Sequence, residues 1–311
     1  MTPADRRREL LAGVTTFFTM AYIVVVNPAI LSSPGTGMPF SGVLTATVLL
    51  AFSMTLLMGL YAKLPFAVAP GMGLNAFFAY TIVLGKGVPW PVALGAVFWA
   101  GALFLALSLT PLRERVAEAI PEHLRTASAA GIGLFLAFIG LKNAGFVVAD
   151  PATFVRLGTL DSKVGLSLAG GLLTVWLMRR KNPFAFLAGI IVVTAAAWAL
   201  GLVAAPASAL AKPDFSLILR LDPLGALSMA LLPAIVSIFM TDLFDSVATF
   251  VGVAHATGLV DASGRPKNLR QGLIVDAWAT LGAGALGTSS GTAYIESAAG
   301  IEMGGRTGLT A

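Results

Sequence analysis

LPFAVAPGMGLNAFFAYTIVLG, residues 64–85, is apolar enough to lie in a membrane yet cannot be one continuous helix. Pro65, Pro70, Gly71 and Gly73 crowd its first half. Proline removes a backbone donor and clashes with the preceding turn, and glycine weakens what helix remains. The stretch predicts an extended run near 66–72 and a short helix beginning close to Leu74. A second stretch repeats the form: residues 287–305, GTSSGTAYIESAAGIEMGG, are small and β-tolerant from Gly287 to Tyr294, with a helix predicted from about Ile295. Half-helices that start inside a membrane aim N–H groups and a positive dipole end at whatever lies between them. Interrupted segments at corresponding places in two halves of a chain point to a transporter site at an inverted repeat.

The rest of the chain agrees with a lipid solvent. Of 311 residues, 57% are hydrophobic and 11% charged, against about 25% charged in soluble domains, and the mean hydropathy is +0.87. Gly numbers 34, a count that suits transmembrane packing, and the lack of Cys excludes a disulfide framework or a thiol metal site. A membrane span needs about 20 mostly apolar residues. Windows of that kind lie at roughly 11–31, 41–62, 66–85, 91–110, 127–147, 162–178, 183–203, 225–256, 269–286 and 288–304. Residues 111–126 read as an amphipathic interfacial helix, and 204–222 as a polar, Pro-containing connection. If the third window corresponds to the tenth, each repeat holds seven spans, an odd number that inverts the second copy. The fold expected is therefore an all-α polytopic membrane protein with an inverted repeat, truncated after about ten of fourteen spans.

Fourteen of the 20 Lys and Arg residues fall on one side of that topology, from Arg6, Arg7 and Arg8 to Arg306. The positive-inside rule then places the N-terminus in the cytoplasm of an inner-membrane protein, and accounts for the basic charge without a nucleic-acid partner. The acids carry the functional signal. Eleven of the 15 Asp and Glu residues lie in loops or at segment ends; Asp242, Asp245, Asp276 and Glu296 do not. A charge at mid-bilayer costs about 3 kcal/mol on insertion scales, so such residues face a protein interior or a water path. No intramembrane Lys or Arg neutralises them.

Asp242 and Asp245 are three apart on one helix, and Thr249 extends their face by a turn. Two like charges make poor structural glue, which points to proton handling. Glu296 stands at the predicted start of the tenth-window half-helix, where a dipole contribution of about 0.3–1 kcal/mol cannot offset its burial. Asn75 takes the equivalent place in the third window, as a helix cap, as an amide donor–acceptor pair, or as both. Carboxylates with one amide suit a neutral, flat, polar heterocycle such as a purine. Asp276 is alone on its helix, divided between a structural hydrogen bond and a direct role, and Phe77 is placed to stack on a ring or to pack. No metal-ligand spacing and no nucleophile–base pair occurs, so neither an enzyme nor a metal or cofactor is expected, the proton serving as coupling ion.

The motifs resemble the AzgA-type hypoxanthine/adenine/guanine permeases within the nucleobase–ascorbate transporter family. The matching stretches are ELLAGVTTFFTMAYIVVVNPAIL (9–31), APGMGLNAFFAY (69–80), TDLFDSVATFVGVA (241–254) and GTSSGTAYIESAAGIEMGGRTGLTA (287–311). The resemblance implies a nucleobase transporter fold of core and gate domains: 1–110 as core, 111–222 as gate, 223–311 as core continued. It implies purine import by proton symport, elevator-like movement of core against gate, and gate-mediated homodimers. Its functional positions fall on Asn75, Asp242, Asp245 and Glu296 as binding and proton-coupling residues, with Asp276, Thr249 and Phe77 supporting. Two family glycines are alanines here, Ala248 and Ala279, adding methyl groups where helices pack closely. The rival readings are an anion or sodium-coupled transporter of the same fold, or a non-transporting membrane receptor or scaffold.

Overall fold

A computed structural model describes residues 3–110, 122–180, 182, 184–203, 212–262, 264 and 266–311. They form two compact units, one drawn from residues 1–128 and 212–311 and the other from 129–211. Most of the interfacial helix expected over 111–126, and the first part of the 204–222 connection, lie outside the described residues.

The first unit opens with helices α1 (Pro3–Met20), α2 (Ile23–Leu31) and α3 (Phe40–Leu57), the last continuing in π-helical turns to Ala62. Strand β1 (Val68–Pro70) leads into α4 (Met72–Ala76), which also runs on as π turns to Gly85, and α5 (Trp90–Leu109) follows. The chain then passes through α6 (Glu122–Asn143), strands β2 (Val147–Asp150) and β3 (Phe154–Leu157), α7 (Ser162–Arg179) and α8 (Ala185–Ala199). It completes the first unit with α9 (Leu232–Thr257), α10 (Leu269–Leu286), β4 (Gly291–Ala293) and α11 (Ser297–Glu302). Among the described residues, four stretches are long and apolar enough to cross a membrane: Ala4–Leu31, Phe40–Ala62, Trp90–Leu109 and Leu232–Thr257. The 26 residues of α9 make it about 39 Å long, more than the hydrocarbon core requires.

Several expectations are corrected in detail. The first span is interrupted: α1 stops at Met20, turns through Ala21 and Tyr22, and resumes at Ile23. The chain is mostly helical rather than all-α, because β2 and β3 form a hairpin and β1 pairs with β4. The half-helix after β1 starts at Met72 rather than Leu74, and the one after β4 runs only six residues, Ser297–Glu302. Residues 212–222 belong with the first unit. The Leu219 N–H donates to the Ala285 carbonyl at 2.7 Å and the Asp222 N–H to the Pro91 carbonyl at 2.8 Å. Ser41 Oγ donates to Asp214 at 2.7 Å, and this bond with those from Ser216 holds the Asp214 carboxyl below its ordinary value.

The β1–β4 ladder is the geometric centre of the first unit's polar interior. Val68 pairs with Ala293, Ala69 with Thr292 and Pro70 with Gly291, in antiparallel register. Within a membrane every backbone polar group needs an internal partner, and a two-stranded ladder leaves both outer edges bare. Side chains close them. Thr55 Oγ1 receives the Val68 N–H at 2.9 Å, the Ala293 N–H donates to Asp276 Oδ1 at 2.6 Å, and Thr280 Oγ1 lies 3.0 Å from the Gly291 carbonyl. Part of the polarity of α10 is thus dictated by the strand beside it.

Helices α5 and α10 meet at glycines. A Cβ at Gly101 would run into the Thr280–Leu281 backbone, and one at Gly284 into the backbone of Leu94 and Phe98. Gly101→Val is therefore expected to force the helices apart at a cost of about 1–3 kcal/mol, measured as a lower melting temperature of the purified protein in detergent. The extra methyl of Ala279 is accommodated, since it faces Gly291, whereas that of Ala248 points away from the packed face. The outer surface carries Phe17, Phe52, Leu60 and Trp278, as a lipid-facing surface should.

Candidate functional site

The ladder gathers all four intramembrane acids. Asp242 and Asp276 are fully buried on α9 and α10, close enough to act on each other electrostatically. Thr280 Oγ1 donates to Asp242 Oδ2 and shares a 2.7 Å hydrogen bond with Ser290 Oγ. Ser246 Oγ donates to Asp276 Oδ2, opposite the Ala293 N–H. Asp245, one turn along from Asp242, neighbours Glu296 and the Thr292 hydroxyl. Glu296 is half-buried just before α11, and its Oε1 accepts a 2.6 Å hydrogen bond from the Tyr22 hydroxyl. Every donor to these carboxylates among the described residues is a hydroxyl or a backbone N–H, never a cation.

The acids therefore sort into an inner pair, Asp242 with Asp276, and an outer pair, Asp245 with Glu296. Asp242 and Asp245 do not share one environment despite their spacing, and it is Asp245, rather than Asp242, that stands next to Glu296. Thr249 is buried further along α9, and Phe77 is half-buried where α4 turns into π winding. Asn75 does not cap its helix: Gly71 holds that position, and Asn75 lies a turn inside α4. Glu296 does stand at the cap position of α11, so the two are not equivalent in register.

Asn75 reaches the site through Asn27. The fully buried Asn27 side chain donates to Thr47 Oγ1 at 2.7 Å and to Thr288 Oγ1 at 2.8 Å, and accepts from Asn75 Nδ2 at 3.1 Å. It binds the first span to both broken segments at once. Two acceptors, Asn75 Oδ1 and Asp242 Oδ1, are buried with no hydrogen-bond partner among the described residues. Such atoms are costly to leave unmade, about 1–3 kcal/mol each, which makes them candidates to receive a ligand's N–H groups. A separate groove of about 520 Å³ between α1, α2 and α3, lined by residues such as Phe17, Phe52 and Pro65, contains none of the acids.

Asn27 and Tyr22 escape a reading of the sequence by cost alone, since both are uncharged. Their signals are an Asn–Pro step and a lone tyrosine within the otherwise apolar run AYIVVVNPAIL.

Residues 7–311 match the model of a family described as a permease family. The chain belongs to the permease family. It is an integral membrane permease and not an enzyme. The permease is 42% identical to the adenine permease AdeP of Escherichia coli over 312 residues, 98% of this chain and 68% of the relative. It is 43% identical to the guanine/hypoxanthine permease PbuO of Bacillus subtilis over 313 residues, covering 98% and 72% of the two chains. Its fold is similar to the transmembrane domain of a cyanobacterium bicarbonate transporter, BicA, with a TM-score of 0.68 at 19% identity, over 100% of this chain and 80% of that one.

Proposed function

We propose that this permease imports purine nucleobases across the inner membrane by proton symport, with the purine held between the two broken segments. The observation that carries the reading is the concentration of four carboxylates around the β1–β4 ladder with only neutral donors beside them. Carboxylates desolvated without a cation are held most cheaply with a proton, which is what a proton-coupled carrier needs at its site. The relatives named for adenine and for guanine/hypoxanthine support a purine as the cargo.

In this mechanism Asn75, Asp242 and Glu296 contact the purine. The orphan acceptors on Asn75 and Asp242 accept its N–H groups, and Asp242, Asp245 and Glu296 carry the coupling proton. Asp276, Thr249 and Phe77 support them, Asp276 by holding the edge of β4. Protonation cancels a buried charge, so the loaded core crosses the low-dielectric barrier against the gate in an elevator movement, and release of the proton inside makes uptake directional. The N-terminus faces the cytoplasm, and gate-mediated homodimers are the proposed assembly. An anion carrier is disfavoured, because the acids would repel the substrate.

The test is uptake of labelled hypoxanthine into proteoliposomes holding the permease. Uptake should rise with an inward proton gradient, collapse with a protonophore, ignore a sodium-for-choline exchange, and be competed by adenine and guanine but not by sulfate. Competition by sulfate, or sodium dependence at fixed pH, would overturn the reading.

A further inference from the structure

Glu9 is a buried acid that neither purine binding nor proton coupling uses. It stands in the second turn of α1, 4% exposed, and both of its carboxyl oxygens receive donors. The Arg306 N–H donates to Oε1 at 3.0 Å, the Thr307 N–H to Oε2 at 3.3 Å, and the Thr310 hydroxyl also to Oε2. All three donors belong to the turn that follows α11. The same turn is held on two further sides. The Arg306 guanidinium donates to the carbonyl of Thr257, the last residue of α9, at 2.6 Å. A Cβ at Gly308 would run into the Gly59 backbone, in the π winding that continues α3.

The length of α11 explains why such an anchor matters. Its six residues make a helix about 9 Å long, too short to be stable by itself. Its seat comes from the first span. At its start, the Tyr22 hydroxyl donates to Glu296 Oε1 and Thr19 Oγ1 to the Glu296 carbonyl at 3.4 Å. In its middle, a Cβ at Gly300 would run into Thr16 and the Ala12 backbone. Beyond its end, Glu9 takes the turn. Glu9, Ala12, Thr16, Thr19 and Tyr22 recur at steps of three and four residues, so one face of the first span follows the second broken segment from Glu296 to Thr310. The glycine contact in the middle sets how closely the two pass. Only the polar contacts at the two ends fix where α11 lies along α1.

We propose that Glu9 is a positioning residue for Glu296: by gripping the turn after α11 it fixes the half-helix along α1, and so sets where the Glu296 carboxyl meets the substrate. The position calls for two acceptor oxygens, because two backbone N–H groups and a hydroxyl converge on it. Glutamine offers one oxygen and sets an NH₂ group against the other N–H. With that grip lost, α11 is held by the Tyr22 end alone. A group that contacts a ligand has to be held within about 0.5 Å of its working place, so a shift of the half-helix is felt as lost affinity.

The inference rests on the reading that Glu296 contacts the purine, and two measurements on the permease separate them. The chain has no Cys, so spin labels enter cleanly at Val14→Cys on α1 and Met303→Cys at the end of α11, both exposed. Pulsed electron resonance in nanodiscs reads the distance between them; equilibrium binding of labelled hypoxanthine to the unlabelled permease gives Kd. Glu9→Gln should move the mean distance, or widen its distribution, by about 1.5 Å or more, one residue's rise along a helix. It should also raise Kd roughly tenfold or more. Should Glu9→Gln fail to fold, Thr310→Val removes one donor to the carboxyl and should move both readouts the same way by a smaller amount. A role confined to stability would lower the melting temperature and leave both unchanged. An unmoved distance overturns the proposal, as does a moved distance with Kd within about twofold of wild type. If the wild type does not bind hypoxanthine, the purine reading fails, and the distance alone decides whether Glu9 seats α11.

Discussion

Glu296→Gln abolishes concentrative purine uptake. A pH difference of one unit supports about tenfold accumulation for each coupled proton, and the variant should settle at about onefold. The expectation follows from position. Glu296 is half-buried beside the turn into α11, its Oε1 receives the Tyr22 hydroxyl at 2.6 Å, and Asp245 is close enough to feel its charge. Glutamine has nearly the same shape and still accepts the tyrosine bond, but it cannot take up or release a proton in the cycle. The measurement is the steady-state ratio of labelled hypoxanthine inside and outside proteoliposomes, with and without a protonophore. A variant that still accumulates substrate, with the accumulation still removed by the protonophore, would show that another acid does the coupling.

Asn27→Ala should be the most destabilising of the single changes considered. The wild-type amide is wholly buried and ties Thr47, Thr288 and Asn75 together. Alanine leaves these partners in a dry interior without compensation, and each unsatisfied buried group costs about 1–3 kcal/mol. A total of roughly 3 kcal/mol or more is expected, lowering the melting temperature in detergent by roughly 5–10 °C. A melting temperature within about 1 °C of wild type would mean that the three linked segments are held by something other than this amide.

How much of this could be read from the chain follows the range over which each interaction acts. The two interruptions announce themselves locally: Pro65, Pro70 and Gly71 break a helix wherever they occur, and the strands lie where those residues and the small run from Gly287 predict them. The acids were legible because their cost in lipid is a property of the residue type. What escaped is what depends on contacts between distant residues. No periodicity indicates that Val68 must lie against Ala293, so the ladder itself was invisible, and with it the reason Asp276 and Thr280 sit where they do. The break at Ala21–Tyr22 was missed because neither residue is a helix breaker; Tyr22 is held there by its bond to Glu296, 274 residues away. The β2–β3 hairpin escapes because the apolar window over 127–147 runs into only its first residue, Val147, and nothing local marks the pairing of Val147–Asp150 with Phe154–Leu157. The differing environments of Asp242 and Asp245 depend on what packs against α9, which their spacing alone does not specify.

The β1–β4 ladder also sets a timetable for biogenesis. The Tyr294 hydroxyl donates to the carbonyl of Pro70, 224 residues earlier. A ribosome adding roughly 5–20 residues each second takes roughly 10–45 s to cover that separation. Throughout that interval the ladder-facing backbone groups of the first interrupted segment wait unmatched, in a medium that offers them nothing. The nascent chain must therefore shelter β1 beside the insertion machinery, or hold it at the membrane surface, until its partner strand is made.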